Sequence, residues 1–509
     1  MNKVLKGLVA VAATAAMAVA GFAGASSATA DENNGTVSAA ETYTINFPTD
    51  EKYADHTYEV YQVFTGDYDG HVLSNVKYGA NGAKATGTEV TADELKQLTQ
   101  LTDATGKTDQ EKLDTIKAFA NLKSTPVATL TKTNPSYTAV AGYYLIKDKD
   151  GSQTGKDDAN TLYITKVVGD VAIVPKSDVP SFEKKVKDTN DTTGDTSGWQ
   201  DSADYDFGDQ VPFQLTATLP TNYSDYKTYY LAFHDVEEKG LAFNKDSVKV
   251  SIDGTQVTEG YEVKTDGLTD GCTFEVVFSN LKSTAAAKNG SKVTVEYNST
   301  LTEDATLGQQ GNLNKARLEF SNNPNEEQGG EHGETPWDNV IVFTYKVTVN
   351  KVNENKEALK GAAFKLEKNY KDGTTKLVGE FTAGDATSFT FSGLDDGTYT
   401  LTETATPAGY NSIKPVTFTV TAEHKIVWGD TDKRTDILTS VSGTKASGEI
   451  DFTLAADGNK DLSTDIVNVK GSNLPSTGGM GTVLLYVAGI AVFVVAGATL
   501  VMALRRRNA

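Results

Sequence analysis

Cysteine is nearly missing from this chain. Its 509 residues hold one, Cys272, so no disulfide can form within it and any covalent stapling must use other side chains. Histidine is almost as scarce: His56, His71, His234, His332 and His424 are the full set. They fall at no metal-ligand spacing, so no metal and no cofactor is expected. There is no GxSxG, and Cys272 has no partner recognisable along the chain, which argues against an enzyme. Clustered Lys and Arg are lacking too. With a formal charge of −21, the phosphate contacts that nucleic-acid binding requires have no source. Such acidity instead keeps surfaces soluble and apart from their neighbours.

Long apolar runs are confined to the two ends. Met1, Lys3 and Lys6 precede an Ala/Val-rich stretch that closes with Ala28-Thr29-Ala30, the three-part pattern of a secretory signal. Residues 1–30 therefore read as a leader, and the mature chain begins near Asp31. A membrane anchor is the weaker reading here, because the apolar part is short and ends in a small-x-small site. At the other end Gly481 to Leu504 is long enough to span a bilayer, and Arg505, Arg506 and Arg507 hold the tail inside. Just ahead stands Leu474-Pro475-Ser476-Thr477-Gly478, the pentapeptide that a sortase recognises. The span halts the exported chain long enough for a membrane transpeptidase to cut between Thr477 and Gly478. Residues 472–509 thus form a sorting signal, and the expected location is outside the cell, covalently held to the cell wall.

Between the ends, Thr, Val, Tyr and Gly dominate in short alternating runs such as Lys292-Val293-Thr294-Val295-Glu296-Tyr297. That texture predicts an all-β chain of tandem sandwich domains. One stretch departs from it: from Ala92 to Leu122, Leu95, Leu98, Leu101, Leu113, Ile116 and Phe119 recur at helical spacing, predicting two helices packed on the first domain. Proline and polar punctuation set the boundaries at 31–177, 178–339 and 340–471.

In the third domain, period-2 alternation in Val347-Thr348-Val349-Asn350-Lys351 puts a lysine on a core face. The same reading places Asn468 beside Ile466, and Glu403 on the face of Tyr399 and Leu401. Burial pushes a lysine to lose its proton and a carboxyl to keep one. A neutral amine is a nucleophile, and a protonated carboxyl can shuttle protons as ammonia leaves, so the product would be a Lys351–Asn468 isopeptide. The region resembles the collagen-adhesin B-type module. The likeness is carried by Val349-Asn350-Lys351, Gly361-Ala362-Ala363-Phe364, Tyr399-Thr400-Leu401-Thr402-Glu403, Pro407-Ala408-Gly409-Tyr410 and Ile466-Val467-Asn468. In that family the lysine, glutamate and asparagine at these positions form the bond.

The second domain repeats the logic. Phe182, Lys184 and Val186 share one face, and Asp235 shares another with Leu231 and Phe233. The segment Asp235-Val236-Glu237-Glu238-Lys239-Gly240-Leu241 and the Asn-rich ending resemble a fimbrial isopeptide-forming domain, with Asp235 in the place of Glu403. The pattern leaves Asn312, Asn314 and Asn322 open as partners of Lys184. The resemblance implies parallel first and last strands, which favours Asn314. The first domain opens on Thr42-Tyr43-Thr44-Ile45-Asn46-Phe47, without a lysine, and no internal bond is expected there.

Taken whole, the chain resembles the shaft subunit of a Gram-positive sortase-assembled pilus. That resemblance singles out Lys176 in Val171-Ala172-Ile173-Val174-Pro175-Lys176, although the family usually has an aromatic where Val174 stands and a tryptophan where Val167 stands. It implies that sortase cuts at Thr477 and that Lys176 of the next subunit attacks the thioester, giving an adhesive fibre. Implied partners are pilus and housekeeping sortases, identical subunits, minor or tip pilins, peptidoglycan, and a host glycan or matrix receptor. A monomeric wall-anchored adhesin would keep every feature except a use for Lys176.

Overall fold

Runs that alternate β-branched or aromatic residues with polar ones can bury one side of a strand and wet the other, and the chain answers them almost entirely with strands. The computed structural model describes residues 41–68, 73–99, 114–175, 178–284, 286–324, 330–424, 438–447, 452–454 and 460–471. The leader, Lys176, the pentapeptide with Thr477 and the apolar run 481–504 lie outside these residues. Among the described residues no helix is long and apolar enough to cross a membrane.

The chain divides into two compact units, with the main boundary between Thr344 and Tyr345 rather than at 339–340. The reason is the strand Asp338–Phe343, which pairs antiparallel with Asn312–Ser321 and so belongs to the sheet before it.

The first unit holds two bodies of sheet. In its N-terminal part, Thr42–Asn46 pairs antiparallel with Ser136–Val140 and parallel with Val171–Ala172. A second sheet runs in the order Leu73–Tyr78, Tyr58–Tyr68, Gly142–Asp148, Leu162–Val167. Alternation gives that sheet two buried faces. Tyr58, Val60, Tyr144 and Ile146 join Ile45 and Ile173 in one core, and Tyr61, Val63, Tyr143 and Leu145 join Val90, Ile116 and Phe119 in the other. The helical expectation is met by Ala92–Thr99 and by a short helical piece at residues 114–117; residues 100–113 lie outside the described set.

The rest of the first unit is a sandwich. One sheet runs Thr255–Val257, Leu241–Ile252, Lys292–Leu301, Gln210–Thr218, Ser181–Val186. The other runs Ser202–Asp204, Asp338–Phe343, Asn312–Ser321, Leu231–Glu237, Phe274–Phe278, Glu262–Lys264. Phe213, Val293, Val295 and Tyr297 from the first meet Phe233, Val276, Leu318 and Phe320 from the second in one core. Here the first and last strands, which the resemblance implies to run parallel, are not ladder partners. Ser181–Val186 pairs antiparallel with Gln210–Thr218, with one further bridge from Val186 to Gln200, and Asn312–Ser321 lies in the other sheet.

In the second unit the parallel arrangement is present. Tyr345–Asn353 pairs antiparallel with Ser388–Leu394 and parallel with Leu462–Asn468. The other sheet runs Thr375–Phe381, Ala363–Asn369, Gly397–Ala405, Val416–His424, Leu438–Ser447.

Candidate functional site

Lys184 is fully buried, as are Asp235 and Asn314. The sandwich brings them together from facing sheets. Lys184 Nζ donates to Asp235 Oδ2 at 2.5 Å and to the Tyr297 hydroxyl at 2.8 Å. Tyr297 donates in turn to the same Asp235 oxygen at 2.8 Å and accepts from Asn314 Nδ2 at 2.9 Å. Asn314 Nδ2 also reaches Glu237 Oε1 at 3.2 Å, an oxygen that accepts from Ser299 Oγ as well. Among the described residues, Asp235 Oδ1, Glu237 Oε2 and Asn314 Oδ1 find no hydrogen-bond partner.

That arrangement places one amine and two carboxyl groups in an apolar core, where charge is costly. Burial lowers the Lys184 pKa against the attraction of Asp235. Burial likewise raises Asp235, and it pushes Glu237 up to about 8, with the neighbouring Asp235 adding to the effect. All three shifts favour a neutral amine beside protonated carboxyls. The rings of Phe213 and Tyr297 flank the amine, with centroids 5.2 and 5.3 Å from Lys184 Nζ.

The other two asparagines left open by the sequence have different occupations. Asn312 Oδ1 accepts from Thr306 N, and its Nδ2 donates to Thr306 O and Val342 O. Asn322 Nδ2 donates to Gln153 O and Asp158 O, and its Oδ1 accepts from Asn160 Nδ2, so it clamps the two parts of the first unit together.

In the second unit Lys351 is also fully buried, on the inner face with Val347 and Val349. Its Nζ donates to Ile466 O at 2.9 Å and Val352 O at 3.3 Å. The register pairs Lys351 with Ile466 and Asn353 with Asn468, which leaves Lys351 and Asn468 as same-face diagonal neighbours. Asn468 is fully buried; its Nδ2 donates to both Glu403 oxygens, at 2.9 and 3.1 Å, and its Oδ1 has no partner among the described residues. Glu403 is half-buried rather than buried, and its Oε2 accepts from Thr406 Oγ1 and the Ile413 amide, each at 3.2 Å. Burial holds Lys351 down to about 8, against the attraction of Glu403.

Two members of the first cluster escaped sequence reasoning. Tyr297 closes the alternating run Val293, Val295, Tyr297 and so faces inward with its hydroxyl in need of partners. Glu237 shares a face with Asp235 by the same period of two. Cys272, without a recognisable partner in the sequence, has two in space: its thiol donates to Asp270 Oδ2 at 3.0 Å and lies 3.7 Å from His234 Nδ1.

Comparison with known proteins follows the same division. Residues 345–434 match the SpaA prealbumin-like fold domain. The trypsin-resistant surface T6 protein of Streptococcus pyogenes serotype M6 is 27% identical over 393 residues, 66% of this chain and 70% of that protein. The solved T6 backbone pilin of the same serotype superposes with a TM-score of 0.53 at 21% identity, covering 86% of this chain and 100% of that one. The full-length major pilin SpaD of Corynebacterium diphtheriae gives 0.47 at 18%, covering 86% and 99%. The first of these two superpositions shows that this chain shares the modular all-β fold of the T6 backbone pilin.

Proposed function

We propose that this chain is the structural shaft subunit of a covalent cell-surface pilus, joined to its neighbours by sortase through Lys176 and Thr477 and stiffened by two internal lysine–asparagine isopeptides. It is a building element rather than an enzyme, displayed on the cell wall for adhesion. The observation that carries the reading is the buried chain Lys184–Asp235–Tyr297–Asn314, which holds an amine and an amide on one tyrosine hydroxyl.

In the second domain the neutral amine of Lys184 attacks Asn314 Cγ. The new C–N bond replaces the bond to the amide nitrogen, which takes up one proton from the amine and leaves as ammonia, while the other proton stays on the new amide nitrogen. Protonated Asp235 stabilises the carboxamide oxygen and relays the proton, and Glu237, neutral at the same pH, orients the leaving nitrogen. Lys351, Glu403 and Asn468 run the same exchange in the third domain. Because Lys351 and Asn468 stand on the first and last strands of that domain, pulling force would enter and leave through the covalent link and spare the hydrogen-bond ladder. Between subunits, the lysine at 176 needs exposure, whereas the internal lysines need burial.

Mass spectrometry of fibres released from the wall tests this directly. Each internal bond removes one ammonia, so a mature soluble fragment without the sorting signal should weigh about 34 Da less than its sequence mass, and digestion of the fibres should yield a branched peptide joining Thr477 to Lys176. A full sequence mass would remove the internal bonds. Lys176→Arg keeps the charge but supplies no acyl acceptor; it should abolish the high-mass ladder and leave the internal bonds intact. A wild-type chain that reaches the wall only as monomer would mark a stand-alone adhesin.

A further inference from the structure

We infer that the outer face of the second-domain sandwich carries a zinc site made by His234, Asp270, Cys272 and Glu275. Its three best-placed donor atoms, His234 Nδ1, Asp270 Oδ2 and Cys272 Sγ, lie within 4.8 Å of one another. The separations are 2.8 Å from Nδ1 to Oδ2, 3.0 Å from Sγ to Oδ2 and 3.7 Å from Sγ to Nδ1. Glu275 Oε1 stands 3.5 Å from the same ring nitrogen. A tetrahedral zinc with bonds of about 2.0–2.3 Å needs donor separations of roughly 3.3–3.7 Å. The histidine–cysteine edge already has that length, and the two shorter edges open by a few tenths of an ångström once their hydrogen bonds are replaced by metal bonds.

The backbone explains why these donors meet. The register sets His234 directly opposite Glu275, and the turn that leads into the Phe274–Phe278 strand brings Asp270 and Cys272 over the imidazole. Gly271, at φ +82°, makes that turn possible, since a side chain there would be strained. Asp270 Oδ1 is tied to the Cys272 amide at 3.1 Å, which aims Oδ2 at the shared vertex. Asp270 is exposed, giving an entry path.

An independent feature is on the far side of the ring. His234 Nε2 meets Glu319 Oε2 at 3.2 Å, and the other oxygen of Glu319 is held by His332 Nδ1 at 2.6 Å. A carboxylate on the remote nitrogen is what fixes a metal-binding imidazole in the tautomer that leaves the near nitrogen free to ligate. A thiolate and an imidazole among the ligands select zinc over calcium or magnesium, which take oxygen donors. On binding, the Cys272 thiol proton and any proton on Nδ1 leave to water, and Nε2–H donates to Glu319.

The single cysteine makes the test clean. The full chain, stripped with a chelator, is titrated with Co²⁺ and then Zn²⁺. One equivalent of Co²⁺ should give tetrahedral absorption with a thiolate charge-transfer band, and Zn²⁺ should displace it. Glu319→Gln should keep the band and weaken zinc binding about tenfold or more, whereas Asp270→Asn and Cys272→Ser should abolish tight binding. Zn²⁺ should also slow alkylation of Cys272 in the wild-type chain, a readout that needs no variant to fold. No thiolate band, zinc binding untouched by Cys272→Ser, or alkylation indifferent to zinc would each overturn the site and leave the cluster as an ion-paired histidine.

Discussion

Lys184 and Lys351 are both fully buried, yet they are housed differently. Lys184 lies against a facing sheet, with Asp235, Glu237, Tyr297 and Asn314 converging on it from three strands. Lys351 lies on a strand paired in parallel with the strand of Asn468, its amine on two backbone carbonyls and its carboxyl partner half-buried. In the first site, charge is suppressed by depth and two acids must stay protonated; in the second, strand register alone brings amine and amide together. The deeper site should therefore be the more costly to break.

The largest effect expected is that of Asp235→Ala. It leaves the Lys184 amine buried without its acid, and removing one partner of a buried pair costs about 3–5 kcal/mol. The variant should also stay about 17 Da heavier per chain than wild type, because the bond does not close. Glu403→Ala should give the same mass change with a smaller loss, about 1–3 kcal/mol, since water reaches the space of a half-buried side chain. Calorimetry and intact mass on both variants check the comparison; equal losses would mean that depth of burial is not what separates the sites.

Next is a pH effect confined to the second unit. Asn468→Ala removes the amide and leaves Lys351 with its amine, whose pKa is held near 8 by burial against an ordinary value near 10.4. The native state then binds fewer protons than the unfolded state between these values. Its stability should be greatest above the ordinary value and should fall as pH drops through about 8. With the proposed bond closed, the wild-type nitrogen is an amide that does not titrate, so no such dependence is expected. Denaturant unfolding of both proteins at pH 7.0 to 11, values chosen to bracket the window, decides between them. A wild-type curve that tracks the variant would show that the lysine never reacted.

Smaller again is Tyr297→Phe. The hydroxyl is the one group touching amine, acid and amide together, and its loss leaves Lys184 and Asn314 each short of a partner, at roughly 1–3 kcal/mol. Closure should slow while still reaching completion, followed by mass at intervals after synthesis. An unchanged rate would assign Tyr297 to packing alone.

How much of this was legible follows from where each residue's neighbours are encoded. Lys351, Lys184 and Asp235 could be read because a polar residue at an inward position of an alternating strand is visible in the strand itself, whereas the same pattern did not separate Asn314 from Asn312 and Asn322. Tyr297 and Glu237 also sat at inward positions, but a tyrosine there is ordinary core and a second acid two residues after Asp235 resembles a solvated face; only the facing sheet turns them into partners. That the end strands of the second domain are not ladder partners could not be read from either strand, because it depends on Asp338–Phe343 following Asn312–Ser321 and taking the place beside it. His234 and Cys272 were invisible for the same reason: their meeting depends on the pairing of Leu231–Glu237 with Phe274–Phe278, which no local spacing records.

The smallest effect is expected at the edge of the shallower site. Glu403 Oε2 accepts from Thr406 Oγ1 and from the Ile413 amide, both at 3.2 Å, while Asn468 Nδ2 spans both Glu403 oxygens. Thr406→Val removes one of these donors and conserves shape, so its cost should be about 0.5–1.5 kcal/mol. The backbone donor and the asparagine still hold the carboxyl, and the bond should close to the full mass loss, with only a small shift in melting temperature. Incomplete closure in Thr406→Val would sharpen the contrast between the sites in an unexpected direction. It would mean that the half-buried carboxyl, lacking the depth that locks Asp235, relies on each of its few hydrogen bonds to stay in line with the amide.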